Sequence, residues 1–200
     1  MKRFCFFYEA MTIKTFYLKS MVCNSCIKTV RKLLEDYQIE IQKINLGEVT
    51  VILFNNQITE HQIEETFIEN GFDILKNKDD ILIEQIKIAI IELVHKSNYM
   101  NSIIRNSDYL VEKLGYSYQY LSAVFSKKEN RTLENFIILH RIEKVKEMLS
   151  YKDLSLSEIA FEMGYSSVQY LSSQFKKITG VSVNEYKNAD CKNRIVIKEI

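Results

Sequence analysis

The chain has 200 residues, 46% of them hydrophobic and 26% charged, with a net charge of +1 at neutral pH. That is enough apolar material for one medium core or two to three small ones, and too little net charge for electrostatics alone to mark a nucleic-acid binder. The longest apolar stretches, such as Ile88 to Val94, contain or abut charges and fall short of the roughly 18–20 residues of a bilayer span, so no membrane association is expected.

At the start, Lys2 and Arg3 precede only the short run Phe4 to Tyr8, which Glu9 interrupts; this is not a secretory signal. Met11 opens a segment that reads as a domain start, so residues 1–12 are expected to be a tail or a start set too early. The four cysteines, two of them in Cys23-x-x-Cys26, do not form a disulfide framework, and a reducing, cytoplasmic setting is expected.

Residues 13–76 alternate between strand-like and helix-like patterns. Thr15–Lys19 predicts a strand. Cys26–Tyr37 predicts a helix with Ile27, Val30, Leu33 and Leu34 on one face. Residues 39–46 and 49–54 predict a hairpin turned at Gly47. Thr59–Asn70 predicts a helix capped by Thr59, with Ile63, Phe67 and Ile68 inward and Gly71 just past its end. A short strand, Phe72–Leu75, closes the order βαββαβ, the ferredoxin-like pattern.

Lys76-Asn-Lys-Asp-Asp80 is the candidate linker, and every later segment is helical. A connecting helix is expected within residues 77–98, as Ile81–His95; its face of Ile83, Ile86, Ile90 and Val94 either packs within the chain or pairs with a second subunit. Residues 99–188 follow with helices at 108–114, 118–128, 132–149, 157–163 and 168–178, and 189–200 is a C-terminal tail. Ser155-x-x-Glu158 has capping-box spacing. Charge divides along the same line, −2 over residues 1–80 and +3 over 81–200.

The helical part repeats itself. Gln119-Tyr-Leu-Ser122, Phe125 and Lys127 return fifty residues later as Gln169-Tyr-Leu-Ser172, Phe175 and Lys177, while Gly115-Tyr-Ser117 returns after forty-nine as Gly164-Tyr-Ser166. A helix–turn–helix unit is used twice, at 107–128 and 156–178, and two units suggest two readers for two segments of DNA groove. Leu121 and Phe125, like Leu171 and Phe175, stand four apart and seal each second helix onto its lobe. Gln119, Ser122 and Ala123 then face outward in the first unit, and Val168, Gln169, Ser172 and Ser173 in the second. Glutamine pairs bidentately with adenine, serine is adaptable, and alanine or valine meets a thymine methyl. Ser117, Ser166 and Ser167 are candidate caps or phosphate contacts, and Lys127, Lys128, Lys176 and Lys177 supply sequence-independent attraction.

Residues Ile159 to Gly180, with Tyr186-Lys187, resemble the C-terminal signature of AraC/XylS-family transcriptional regulators, and the likeness covers roughly residues 100–187. It implies two lobes joined by a long helix, with Arg141 at the family's linker-helix arginine, placed in successive major grooves. It implies double-stranded promoter DNA and RNA polymerase as partners in a bacterial cytoplasm, with a homodimer as a further option. Four positions depart from the pattern. Ala123 and Ser173 replace a frequent arginine, which weakens direct guanine readout and shifts weight to glutamine and DNA shape. Val183 replaces a proline, and Asn130 a glycine.

Met21-x-Cys23-x-x-Cys26, between the first strand and first helix, resembles the heavy-metal-associated domain of copper chaperones and metal-transporting ATPases over about residues 13–75. A helix N-terminus favours thiolate, and two thiolates suit soft, low-coordinate Cu(I). A structural zinc site needs four ligands, and His61, His95 and His140 lie far apart in sequence. Three readings of Cys23 and Cys26 stay open: a thiophilic-metal site, an inert scaffold, and a redox pair, the last without a thioredoxin-like context. Met21 reads as core, and Ser20 stands where that family has glycine.

The expected fold is α+β, an N-terminal ferredoxin-like domain followed by an all-α double helix–turn–helix domain. The expected function is a DNA-binding regulator responsive to Cu(I) or another thiophilic metal through Cys23 and Cys26. The alternative is a metal-binding carrier or scaffold whose helical half is a protein-interaction module. No nucleophile–base pair, phosphate loop or carboxylate cluster suggests an enzyme.

Overall fold

A computed structural model of the chain describes residues 11–54, 58–96, 106–151 and 154–188. Residues 1–10 and 189–200, with Cys5 and Cys191, and the expected boundary at 98/99 lie outside the described residues. The chain divides into two compact units, one ending at Glu84 and one beginning at Gln85.

The first unit is a small antiparallel sheet with two helices. Its elements are β1 (Met11–Leu18), α1 (Asn24–Asp36), β2 (Glu40–Asn45), β3 (Glu48–Phe54), α2 (Glu60–Glu69) and β4 (Ile74–Leu75), and the strands lie in the order β2-β3-β1-β4. β1 is longer than its sequence suggests, because Met11 to Lys14 pair with Phe54 to Val51. Alternation sends Phe16 and Leu18 to the core while Thr15 bonds Thr50 across the pair at 2.9 Å. Phe16 meets Phe67 edge-on at 5.7 Å within a core that includes Val30, Leu34, Val49, Val51 and Ile63. A bulge between Ile41 and Lys43 keeps Ile41 and Ile44 against that core.

α2 starts on a full capping box: Thr59 Oγ1 accepts the Gln62 amide at 3.3 Å and Gln62 Oε1 accepts the Thr59 amide at 3.0 Å. Ile63 and Phe67 are buried, but Ile68, expected inward, is 55% exposed. One residue past Phe67 turns about 100° from it and leaves the buried face. The expected strand from Phe72 is only Ile74–Leu75; Phe72 is spent on the core instead.

The expected linker is mostly helix. α3 spans Lys78–Ile91, because Asn77 Oδ1 accepts the Asp79 amide at 2.8 Å and Asp79 and Asp80 sit at the positive helix end. The division between units therefore falls inside α3. A π-helical turn, Glu92–Lys96, continues it. Ile83, Ile86, Ile90 and Val94, the stripe with two possible uses, are all buried within the chain.

The second unit goes on as α4 (Asn106–Leu114), α5 (Tyr118–Glu129), α6 (Leu133–Tyr151), α7 (Leu156–Glu162), α8 (Val168–Thr179) and α9 (Val183–Asn188). α6 buries Leu133, Phe136, Ile137, Ile142, Val145 and Leu149, and α5 packs on it through Phe125 and Phe136 at 5.1 Å. α8 packs on α9 through Phe175 and Tyr186 at 5.4 Å. α9 is an added helix, opened by Ser182 and Glu185 in capping-box exchange.

Candidate nucleic-acid interface and thiol pair

Each repeated unit is a short helix, a tight turn and a capped second helix. In the first, α4 ends, Gly115 turns the chain with φ of 75°, and Ser117 Oγ accepts the Tyr120 amide to start α5. In the second, α7 ends, Gly164 turns the chain with φ of 66°, and Ser167 Oγ accepts the Tyr170 amide to start α8. The extra residue between the repeats is Ser166, which stands exposed before the cap. Of the three candidate serines, Ser117 and Ser167 are the caps, each satisfying an orphan amide.

Leu121, Phe125, Leu171 and Phe175 are fully buried, which fixes the face of each helix that turns outward. Gln119, Ala123, Lys127 and Lys128 are exposed on α5, and Gln169, Ser173, Lys176 and Lys177 on α8. Ser122, Ser172 and Val168 are half-buried beside the sealing leucines. Spacing four apart puts Gln119, Ala123 and Lys127 along one ridge, and Gln169, Ser173 and Lys177 along its counterpart. The lysines lie in the last turns, where they also complement the helix dipole.

Two aromatic groups beside these ridges went unassigned in the sequence. Tyr120 and Tyr170, 45% and 54% exposed, sit at the same repeat position in both helices. Tyr120 stacks on Tyr116 at 5.3 Å, and Tyr170 meets Tyr165 edge-on at 5.9 Å. Their recurrence in both Gln-Tyr-Leu-Ser strings was the signal.

In the first unit Cys23 is the N-cap of α1 and is exposed, and Cys26 lies half-buried in the first turn, with sulfurs 3.2 Å apart. Burial pushes the Cys23 thiol up, but hydrogen bonds from the backbone and thiol of Cys26 and from Ser25 outweigh it, and the net direction is down. Burial, then the bond with Cys23, raises Cys26. Cys26 Sγ donates to the Ser20 carbonyl at 3.8 Å, and the Ser20 amide donates to buried Glu84 at 2.9 Å. Ser20 itself has φ of 67°, the left-handed region that glycine takes without cost. Met21 is completely buried, so it is core rather than ligand. Among the described residues no group of three or more His, Cys, Asp or Glu gathers. Two soft sulfurs at a helix N-terminus fit a low-coordinate soft ion and not a four-ligand zinc site.

The histidines are not all apart. His95 and His140, on the π-helical turn and α6, approach to 3.3 Å between Nε2 and Nδ1, which a forty-five-residue separation conceals in sequence. Burial first, then the charges of His95 and Arg131, lower His140 to about 3, so it is neutral at ordinary pH. A neutral, buried His140 packed edge-on to Phe136 is a core residue.

Residues 110–189 match the model of a helix-turn-helix domain. An uncharacterised HTH-type transcriptional regulator in the cgkA 5′ region of Pseudoalteromonas carrageenovora is 35% identical over 109 residues, 52% of this chain and 63% of that protein. The xylose operon regulatory protein of Escherichia coli is 30% identical over 83 residues, 42% of this chain and 21% of that protein. Among solved structures, the C-terminal domain of AraT, a response regulator from Geobacillus stearothermophilus, is 26% identical, covers 60% of this chain and 92% of that one, and gives a TM-score of 0.47. The chain spans less than two thirds of the length of these curated relatives. Among the described residues no helix is long and apolar enough to cross a membrane.

Proposed function

We propose that the chain is a sequence-specific, DNA-binding transcriptional regulator of the AraC type, a reading supported by the helix-turn-helix match over residues 110–189 and by its regulator relatives. The observation that carries this reading is the pair of sealed second helices, α5 and α8, presenting matching outward ridges from one α6 scaffold. Gln119, Ser122 and Ala123 read one groove segment, and Val168, Gln169, Ser172 and Ser173 the next. Ser117, Ser166, Ser167 and the four helix-end lysines hold the phosphates. RNA polymerase and a second copy of the chain are partners that the family resemblance adds.

The N-terminal unit is, in this reading, a ferredoxin-like sensor. Its support is the βαββαβ order, the fully antiparallel pairing in the order β2-β3-β1-β4, and the dithiol at the start of α1. Cys23 and Cys26 would hold a thiophilic ion such as Cu(I), which would supply a soft, thiolate-seeking positive charge at the start of α1. The chain's own residues hold Cys23 at the helix start and tie the loop back through Ser20.

The test is binding of the reduced full chain to its own upstream DNA by footprinting, with and without Cu(I), for wild type and Cys23→Ser/Cys26→Ser. Two protected segments about one helical turn apart are expected, with a metal-dependent shift that the double variant loses. Binding indifferent to metal and to the variant removes the sensor and keeps the regulator. Absence of binding to any promoter fragment at moderate salt removes the regulator and leaves the carrier with an interaction module.

A further inference from the structure

We propose that Arg141 is a positioning residue that fixes the second reading helix relative to the first lobe, and so sets the spacing between the two DNA segments the chain accepts. The inference rests on the DNA-reading function above.

Arg141 lies midway along α6, the helix between the lobes. Its Nη2 donates to Oδ1 of Asn106, the first residue of α4, at 3.1 Å. The same guanidinium faces the Tyr165 ring, with its central carbon 6.0 Å from the ring centroid, and Nη2 lies beside the Gly164 turn. Tyr165 is buried, and its hydroxyl donates to Gln174 Oε1 at 2.6 Å. Gln174 belongs to α8, between exposed Ser173 and buried Phe175. One unbroken path therefore runs from the first helix of the first lobe, through the linker helix, to the reading helix of the second.

The chemistry suits this use. A guanidinium is planar and rigid, so its edge can hydrogen-bond Asn106 while its face covers an aromatic ring; an ammonium does one or the other. Both partners are neutral, so what the contact supplies is orientation rather than charge neutralisation. Among the described residues the first lobe has no counterpart: Tyr116 is 48% exposed, and Val124 occupies the position equivalent to Gln174. Orientation matters because half-sites on one face of DNA lie about 10–10.5 base pairs apart, and one base pair of error rotates the second groove by about 34°.

The experiment is selection of bound sequences from random duplex DNA by the full chain, comparing wild type, Arg141→Ala, Arg141→Lys, Asn106→Ala and Tyr165→Phe. Wild type is expected to enrich two half-sites at one spacing. Arg141→Ala should keep both half-site sequences but accept spacings one base pair longer and shorter, cutting spacing discrimination at least tenfold. Arg141→Lys should not restore it. Asn106→Ala should relax spacing less, and Tyr165→Phe, which keeps the ring, least. Asn106→Ala also decides the case if Arg141→Ala does not fold, because Asn106 is only half-buried at a helix end. Unchanged spacing in Asn106→Ala and in every folded Arg141 variant overturns the inference while leaving the regulator intact. Failure of wild type to enrich any sequence overturns both, and enrichment of single half-sites overturns the inference alone.

Discussion

The two reading units share one string and differ by one residue, and that residue redistributes their burial. In the first, Gly115 is followed by one tyrosine before the capping serine; in the second, Ser166 is added before the cap. Tyr116 is left exposed and stacked on Tyr120, whereas Tyr165 is folded inward to reach Gln174. Burial pushes the Tyr165 hydroxyl up to about 12, so it stays a donor at any ordinary pH. The first unit is held to the linker helix differently, by the Tyr118 hydroxyl on Glu134 at 2.8 Å, and Val168 stands in place of that tyrosine in the second. The duplicated motif keeps Gln119 as Gln169 and Ser122 as Ser172, while each copy uses its own anchor.

The strongest way to break this comparison is to empty each core. Phe125→Ala and Phe175→Ala should each cost about 3–5 kcal/mol, the usual range for a buried aromatic. The consequences should differ, because Phe125 packs on α6 and Phe175 packs on terminal α9. Phe125→Ala is expected to erase protection at both half-sites, and Phe175→Ala only at the second, as read by footprinting beside thermal melts. Equal loss at both half-sites in both variants would mean that the lobes fold as one.

Acid should act on α6 chiefly through one buried group. Near the first lobe, buried His140 faces His95 and Arg131; further along, buried Glu143 and Lys146 pair with each other. His140 has a folded value near 3 against 6.5 unfolded, so below 6.5 the unfolded chain binds more protons. Stability is therefore complete above pH 6.5 and falls toward pH 3, by at most about 1.4 kcal/mol per pH unit from this group. Urea midpoints measured from pH 7 to 4 should show that limb in wild type and a flatter one in His140→Leu. Identical slopes would assign the acid sensitivity elsewhere.

Much of this was legible because its causes are local. The caps at Thr59, Ser117 and Ser155 follow from residue chemistry within four positions. The outward Gln119 and Gln169 follow from helical period. What was hidden depends on distance or on one-residue shifts. His95 with His140, Arg141 with Asn106 and Ser20 with Glu84 are brought together only by the tertiary fold. Ile68 shows that one residue along a helix turns a side chain to another face, and Ser166 that one inserted residue moves the cap to its neighbour Ser167. α9 was readable from Ser182-x-x-Glu185, a spacing that carries the same signal as Ser155-x-x-Glu158.

A gentler probe separates the anchors. Tyr165→Phe removes the bond to Gln174 and should cost about 1 kcal/mol, typical of one hydrogen bond. Tyr116→Phe removes a hydroxyl from an exposed ring and should fall within about 0.5 kcal/mol of wild type. Chemical denaturation of both variants checks the difference, and equal effects would deny Tyr165 its special role.

The smallest effects belong to the helix ends, where the copies use different residues for one conformation. α5 ends on Asn130 with φ of 54°, and α8 on Gly180 with φ of 80°. An L-residue pays for the left-handed region through its Cβ, but asparagine pays less, because its short amide bonds locally. Glycine escapes that cost yet gives up more chain entropy on folding. The two terms oppose each other, so Asn130→Gly should change stability by no more than about 0.5 kcal/mol in either direction. Gly180→Ala has the Cβ cost without the amide and should lose about 1 kcal/mol, while Gly180→Asn should recover most of that. A loss in Gly180→Asn as large as in Gly180→Ala would mean that α8 needs glycine itself, and that the two ends are not equivalent.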